Sequence, residues 1–142
     1  MPLRKLLFFA LLLALPALAL ACGGGGGDDD DASAIRSTLD RLFEAAGNSD
    51  WQAMYDLTSA SYRARCPFDQ FAQLAQESGE AIAERTLRDV QDIRVSGDQA
   101  EAMVIVEISG GDVRGVFAFV RENGTWRHDP PGGPNSACEG VF

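Results

Sequence analysis

The chain has little of what catalysis, metal binding and nucleic-acid binding usually draw on. It holds a single histidine and three cysteines, and no Cys or His pair stands at metal-ligand spacing. Twelve lysines and arginines face 21 acids, for a formal charge of −9. That shortage of cations excludes a nucleic-acid surface, where Lys and Arg must neutralise phosphates. The glycine run 23–27 has no lysine or strand beside it, so it is not a phosphate loop. The apolar run 6–21 falls short of the roughly 20 residues of a membrane span and contains Pro16. What remains is 142 residues, 46% hydrophobic, a length for one domain and an apolar content that excludes wholesale disorder.

The first 21 residues read as an export signal. Arg4 and Lys5 open the chain, residues 6–15 are unbroken Leu, Phe and Ala, and Ala17, Ala19 and Ala21 supply a small-residue end. A membrane anchor is the competing reading. Ala19-Leu20-Ala21-Cys22 resembles the lipobox of bacterial lipoproteins. The resemblance implies cleavage before Cys22, which becomes the N-terminus and carries a thioether-linked diacylglycerol. The family prefers leucine three residues before the cysteine, where this chain has Ala19. The glycine run 23–27 and the acidic run 28–31 then read as a solvated tether. An acidic run of that kind has no preformed cage for calcium. Two or more acyl chains give stable anchoring, where one is marginal.

With Cys22 acylated as that resemblance implies, Cys66 and Cys138 remain as an even pair in a compartment that tolerates disulfides. A Cys66–Cys138 bridge is expected, stabilising the fold by about 4 kcal/mol in the chain-entropy model. Two buried free thiols are the alternative. Processing removes two cations and no acid, so the charge becomes −11, and the acidic run contributes −4 of it.

Past the tether, Ile35, Leu39, Leu42, Phe43 and Ala46 recur at helical spacing, with Asp31 or Ser33 as cap and Gly47-Asn48 as stop. Asp50 caps a second helix with Trp51, Met54, Tyr55 and Leu57 on one face. Pro67 opens a third, whose buried face is Phe68, Phe71, Leu74 and Ala75. Strands are then predicted over 87–95, 100–108, 113–121 and 125–129, separated by Gly97-Asp98, the 109–112 turn and Asn123-Gly124. The fold class is α+β: three helices packed on a curved four-stranded antiparallel sheet. The organisation is signal 1–21, lipidated Cys and tether 22–31, domain 32–130, and an irregular tail 131–142 held by Cys138.

The turns set an expected register, with Arg121 opposite Trp126, Phe119 opposite His128, Val104 opposite Phe117 and Ala102 opposite Phe119. One face then carries Ala102, Val104, Val106, Phe117, Phe119, Trp126 and His128. The other carries Met103, Ile105, Val116, Ala118 and Val120, apolar enough to suggest a homodimer surface. A slip by one residue would exchange the faces. Glu107 with Arg114 and Arg94 with Glu101 read as surface pairs, and Arg121 over Trp126 as a cation–π contact.

This order resembles the nuclear transport factor 2-like superfamily, which includes SnoaL-like and ketosteroid isomerase-like proteins. The resemblance rests on the 48–57 segment, Tyr62-Arg63, the 95–100 turn and the 119–127 hairpin. It implies a cone around a pocket, lined here by some of Trp51, Tyr55, Phe71, Phe119, Trp126 and His128. The family's enzymes pair an Asp or His base with a Tyr or acid. His128 is the sole imidazole, read as a pocket base, a part-buried strand-end residue or an exposed one. Tyr55 and Tyr62 lie on or after the second helix rather than on the first, so the isomerase residues do not carry over. No cofactor motif is present. The function expected is a membrane-anchored, exported, non-catalytic domain that binds a small apolar ligand or a protein partner. The alternatives are an enzyme using His128 or an acid, and a structural envelope dimer with a filled cone.

Overall fold

The computed structural model describes residues 26–132 and 137–140. The export run and Cys22 lie outside the described residues. Among these residues no helix is long and apolar enough to cross a membrane.

Helix α1 (Gly26–Gly47) buries Ile35, Leu39, Leu42 and Ala46 in one stripe at helical spacing. It starts ahead of the expected boundary at residue 32. The acidic run 28–31, read from sequence as tether, forms its opening turns instead. Acids are favoured at a helix N-terminus by the backbone dipole, and Asp31 is tied to the sheet by hydrogen bonds to Arg121 and Trp126. Helix α2 (Trp51–Asp56) is capped by Asp50, whose carboxylate accepts the Ala53 N–H at 3.0 Å.

Helices α3 (Ala60–Arg65), α4 (Phe68–Glu77) and α5 (Gly79–Ala83) follow, so among the described residues five helices stand where the apolar period marked three. Helix α3 is too short to display a period; Ser59 defines it by accepting the Tyr62 N–H at 2.9 Å. Helix α4 begins after Pro67 and buries Phe71 and Ala75, but Leu74 is 37% exposed rather than part of the buried face.

The sheet is β1 (Thr86–Ser96), β2 (Gln99–Ile108), β3 (Gly111–Glu122) and β4 (Thr125–His128), antiparallel in sequence order. Irregularities between Leu87 and Asp89 and between Gln91 and Arg94 interrupt the β1–β2 ladder, the kind of defect that bends a sheet. Arg121 opposes Trp126 and Phe119 opposes His128, as the Asn123-Gly124 turn requires. The middle hairpin differs. Ser109 and Gly110 take positive φ (52° and 82°) and form the turn, so Val104 faces Gly115 and Ala102 faces Phe117. The slip is two residues, which leaves each side chain on its expected face. Glu107 pairs with Arg88 across the sheet rather than with Arg114, while Arg94 does oppose Glu101.

Helix α1 lies on the face carrying Ala102, Val104, Val106, Phe119 and Trp126, which with Ile35 and Leu39 form one core cluster. A second cluster joins the end of α1 to the short helices through Leu42, Met54, Tyr62, Phe71 and Ile82. Cys66 and Cys138 are joined there as a disulfide, S–S 2.04 Å, across 72 residues. The Tyr55 hydroxyl donates to the Cys66 carbonyl and the Tyr62 hydroxyl to the Cys138 carbonyl, both at 2.8 Å. Both phenols are thus committed to holding the bridge in place.

Candidate functional site

Strand β4 covers only Phe119–Glu122 of β3. Alongside the uncovered stretch of β3 lies an apolar pocket of about 400 Å³. Its walls are Leu42, Phe43 and Ala46 of α1, Met54 of α2 and Ile82 of α5 on the helix side. Val106 and Ile108 of β2 with Val113, Gly115, Val116, Phe117 and Ala118 of β3 form the sheet side. Pro131 and Gly140 bring the tail to its rim, where the disulfide two residues before Gly140 fixes it. The volume and the apolar walls are those of a small-molecule site at the low end of the usual size range.

Two titratable side chains belong to the lining, Arg85 at the α5–β1 junction and His128 at the end of β4. His128 is 2% exposed. Its backbone is clamped on both sides: the N–H donates to the Leu57 carbonyl at 3.0 Å and the carbonyl accepts the Ser59 N–H at 2.7 Å. Its ring stacks on Phe117 at 5.0 Å between centroids and touches Phe119 at 5.8 Å. Nδ1 is buried without a hydrogen-bond partner. Burial therefore pushes the imidazole down to about 3, because the cation would lose its hydration with nothing in return. At neutral pH the ring is uncharged and behaves as one more aromatic wall. Burial likewise raises the Tyr62 phenol above its usual range, against a smaller opposing effect of Arg65.

Of the six residues expected to line a pocket, only His128 does so. Tyr55 and Phe71 are buried in the helical cluster, their rings 5.3 Å apart. Trp51 packs at the edge of that cluster, with its ring against Gly79. Phe119 and Trp126 sit in the α1–sheet core. Sequence reasoning passed over Gly115, Ile82 and Arg85. The one signal for Gly115 was a glycine inside an apolar strand run, a common mark of close backbone approach. Among the described residues, no group of three or more His, Cys, Asp or Glu side chains could hold a metal ion.

The opposite end of the sheet is built differently. Asp31 accepts a hydrogen bond from Trp126 Nε1 at 3.0 Å and pairs with Arg121 Nη2 at 2.7 Å. The Arg121 guanidinium lies over the Trp126 ring at 4.5 Å and reaches Asp98 at 3.7 Å. Asp31 thus locks α1 to the β3–β4 hairpin, and Arg121 carries the link on to the β1–β2 turn at Gly97 and Asp98.

On the outer face, Val116 is 60% exposed, Met103, Ala118 and Val120 are half-buried, and Ile105 is buried among its neighbours.

No protein family matches the chain by its sequence, and no curated protein matches it. A solved structure does: an NTF-2-like protein of unknown function from Shewanella oneidensis MR-1, at 14% identity and a TM-score of 0.54. The match covers 69% of this chain and 93% of that one. Helices packed on a four-stranded antiparallel sheet, with this neighbour, make the fold of the chain NTF-2-like.

Proposed function

We propose that the chain is an exported lipoprotein, anchored through Cys22, whose domain binds a small apolar ligand and performs no chemistry on it. The observation that carries the ligand reading is the pocket beside β3, walled by apolar side chains from α1, α2, α5, β2 and β3. An enzyme of this fold would need a base in reach of the substrate. His128 lines the pocket but is a poor candidate, because burial against Phe117 makes it too weak a base to take a proton near neutral pH. Tyr55 and Tyr62 donate to the carbonyls of the disulfide cysteines and are not available as oxyanion donors.

The anchor reading rests on the lipobox-like 19–22 segment and the export run before it. Three residues lie between Cys22 and the start of α1 at Gly26, and the four steps along the chain reach at most ~14 Å. Helix α1 runs from the hairpin tips at Asp31 to the pocket at Ala46, about 22 Å along its axis. An anchored domain would therefore hold its hairpin tips nearer the membrane than its pocket. Metabolic labelling with a radioactive fatty acid tests the anchor. Label on the wild type and none on Cys22→Ser is expected, and an unlabelled wild type would overturn it. Native mass spectrometry of the isolated protein tests the ligand reading, which expects a noncovalent adduct below 400 Da that denaturation releases (on the order of the pocket's capacity).

A second reading is favoured by one observation, the 60% exposure of Val116 on a half-buried apolar outer face. A homodimer across that face would cover it. Sedimentation of wild type and Val116→Glu tests this, and a monomer at high concentration rejects it.

A further inference from the structure

Strand β3 carries a glycine at its centre that neither backbone nor packing demands. Gly115 lies opposite Val104 and its φ is outside the left-handed region, so any residue could adopt its conformation. A Cβ placed there would meet only the edge of the Phe117 ring, at 3.9 Å, an ordinary contact. A mid-strand glycine weakens a strand relative to alanine and marks a bulge, a bend or the close approach of a ligand or another backbone; the β2–β3 register runs unbroken through Gly115, so no bulge accounts for it. By strand alternation Gly115 shares the face of Phe117, the face that forms the pocket floor. The side chain missing from Gly115 is thus space added to the pocket.

The charges around that space narrow what can fill it. Among the described residues no aspartate or glutamate lines the pocket, so a buried cation would have no counter-ion. His128 is uncharged at neutral pH, and Arg85, at the α5–β1 junction, is the one lining residue with a formal charge among the described residues. A cation deep against Phe117 and Gly115 would give up its hydration without pairing, and an anion there would meet only Arg85, which is already engaged elsewhere. We infer that the pocket takes an uncharged, hydrocarbon-rich small molecule lying across β3 at Gly115, and that the absent side chain sets the width of what is admitted. This deepens the ligand-binding reading above and rests on it.

The test compares two probes with one ring framework, uncharged N-phenyl-1-naphthylamine and anionic 1-anilinonaphthalene-8-sulfonate. The full chain as isolated is titrated with each, and energy transfer from tryptophan to the probe is read. Trp51 and Trp126 are the only tryptophan donors in the protein. The uncharged probe is expected to saturate and to bind at least tenfold tighter than the sulfonate. Gly115→Leu should weaken it at least tenfold with the unfolding midpoint retained. Gly115→Ala, a smaller change that keeps the test standing should the leucine variant not fold, should weaken it about threefold. Equal or tighter binding of the sulfonate, with that advantage lost in Arg85→Gln, would overturn the uncharged class while leaving the pocket a ligand site. Unchanged affinity in a folded Gly115→Leu would overturn the role of the glycine. Absence of saturable transfer from either probe would remove the ligand-binding reading itself.

Discussion

The two ends of the sheet solve opposite problems with similar materials. At the hairpin-tip end, the side chains of Asp31, Arg121 and Trp126 close on one another. Asp31 satisfies the Trp126 indole and the Arg121 guanidinium together, and the guanidinium covers the indole ring. At the pocket end, the aromatic residues Phe117 and His128 are present but nothing fills the space beside them, and a glycine stands where a side chain would fit. A fold that can pack one end this tightly has no general difficulty in packing the other. The open end is therefore best understood as a place held open, with stability supplied from elsewhere. The disulfide is the obvious supplier, since it ties the rim-forming tail to α3 with both flanking carbonyls hydrogen-bonded by tyrosines.

Four changes sharpen or break this contrast. The largest effect is expected at the pocket end. Replacing both Cys66 and Cys138 by alanine should cost about 4 kcal/mol in urea unfolding and should abolish probe binding before it abolishes the α1–sheet core. Retained binding at full affinity would show that the bridge does not support the rim.

Next comes pH. The unfolded chain takes up a proton on His128 near pH 6.5, the folded chain only near 3. The stability contributed by the neutral ring is complete above about pH 6.5 and is lost progressively as pH falls toward 3, at a limiting slope of roughly 1.4 kcal/mol per pH unit. His128→Phe should flatten that part of the profile, and an unchanged slope would mean that other groups carry it.

At the tip end, Asp31→Ala leaves the indole N–H and the guanidinium without their acceptor and should destabilise by about 1–3 kcal/mol. Asp31→Asn should lose less, because its carbonyl can still accept from Trp126. Neither should alter probe affinity, which is the sharpest statement that the ends are independent; sites this far apart are usually additive. The smallest effect is at Gly115, where alanine should raise stability by roughly 0.5–1 kcal/mol while weakening the probe.

Much of the closed end was legible in the sequence, and little of the open end was. The period of Ile35, Leu39, Leu42 and Ala46 located α1, and Asn123-Gly124 set the last hairpin and hence the Arg121–Trp126 contact. These are local patterns, read within one helix or one turn. The two-residue slip at Ser109-Gly110 was not legible, because three adjacent residues could each have entered the turn and the faces are the same either way. The acidic run 28–31 has the composition of a tether; its helical state depends on Asp31 meeting Arg121, 90 positions away. The aromatic residues looked like pocket walls by chemistry alone. Tyr55 and Phe71 went instead to the helical cluster around the disulfide, where no sequence pattern ties them to β3. A pocket is defined by side chains that are not there, and Gly115 leaves only a gap in an apolar run as its trace.

The central claim is that the pocket end is open by construction, and the unfolding free energy of Gly115→Ala measures it most directly. An increase of up to about 1 kcal/mol over wild type is expected, since the glycine serves space rather than folding. A loss of comparable size would mean that the sheet needs glycine there for its own packing, and the account of the pocket as a held-open site would be contradicted.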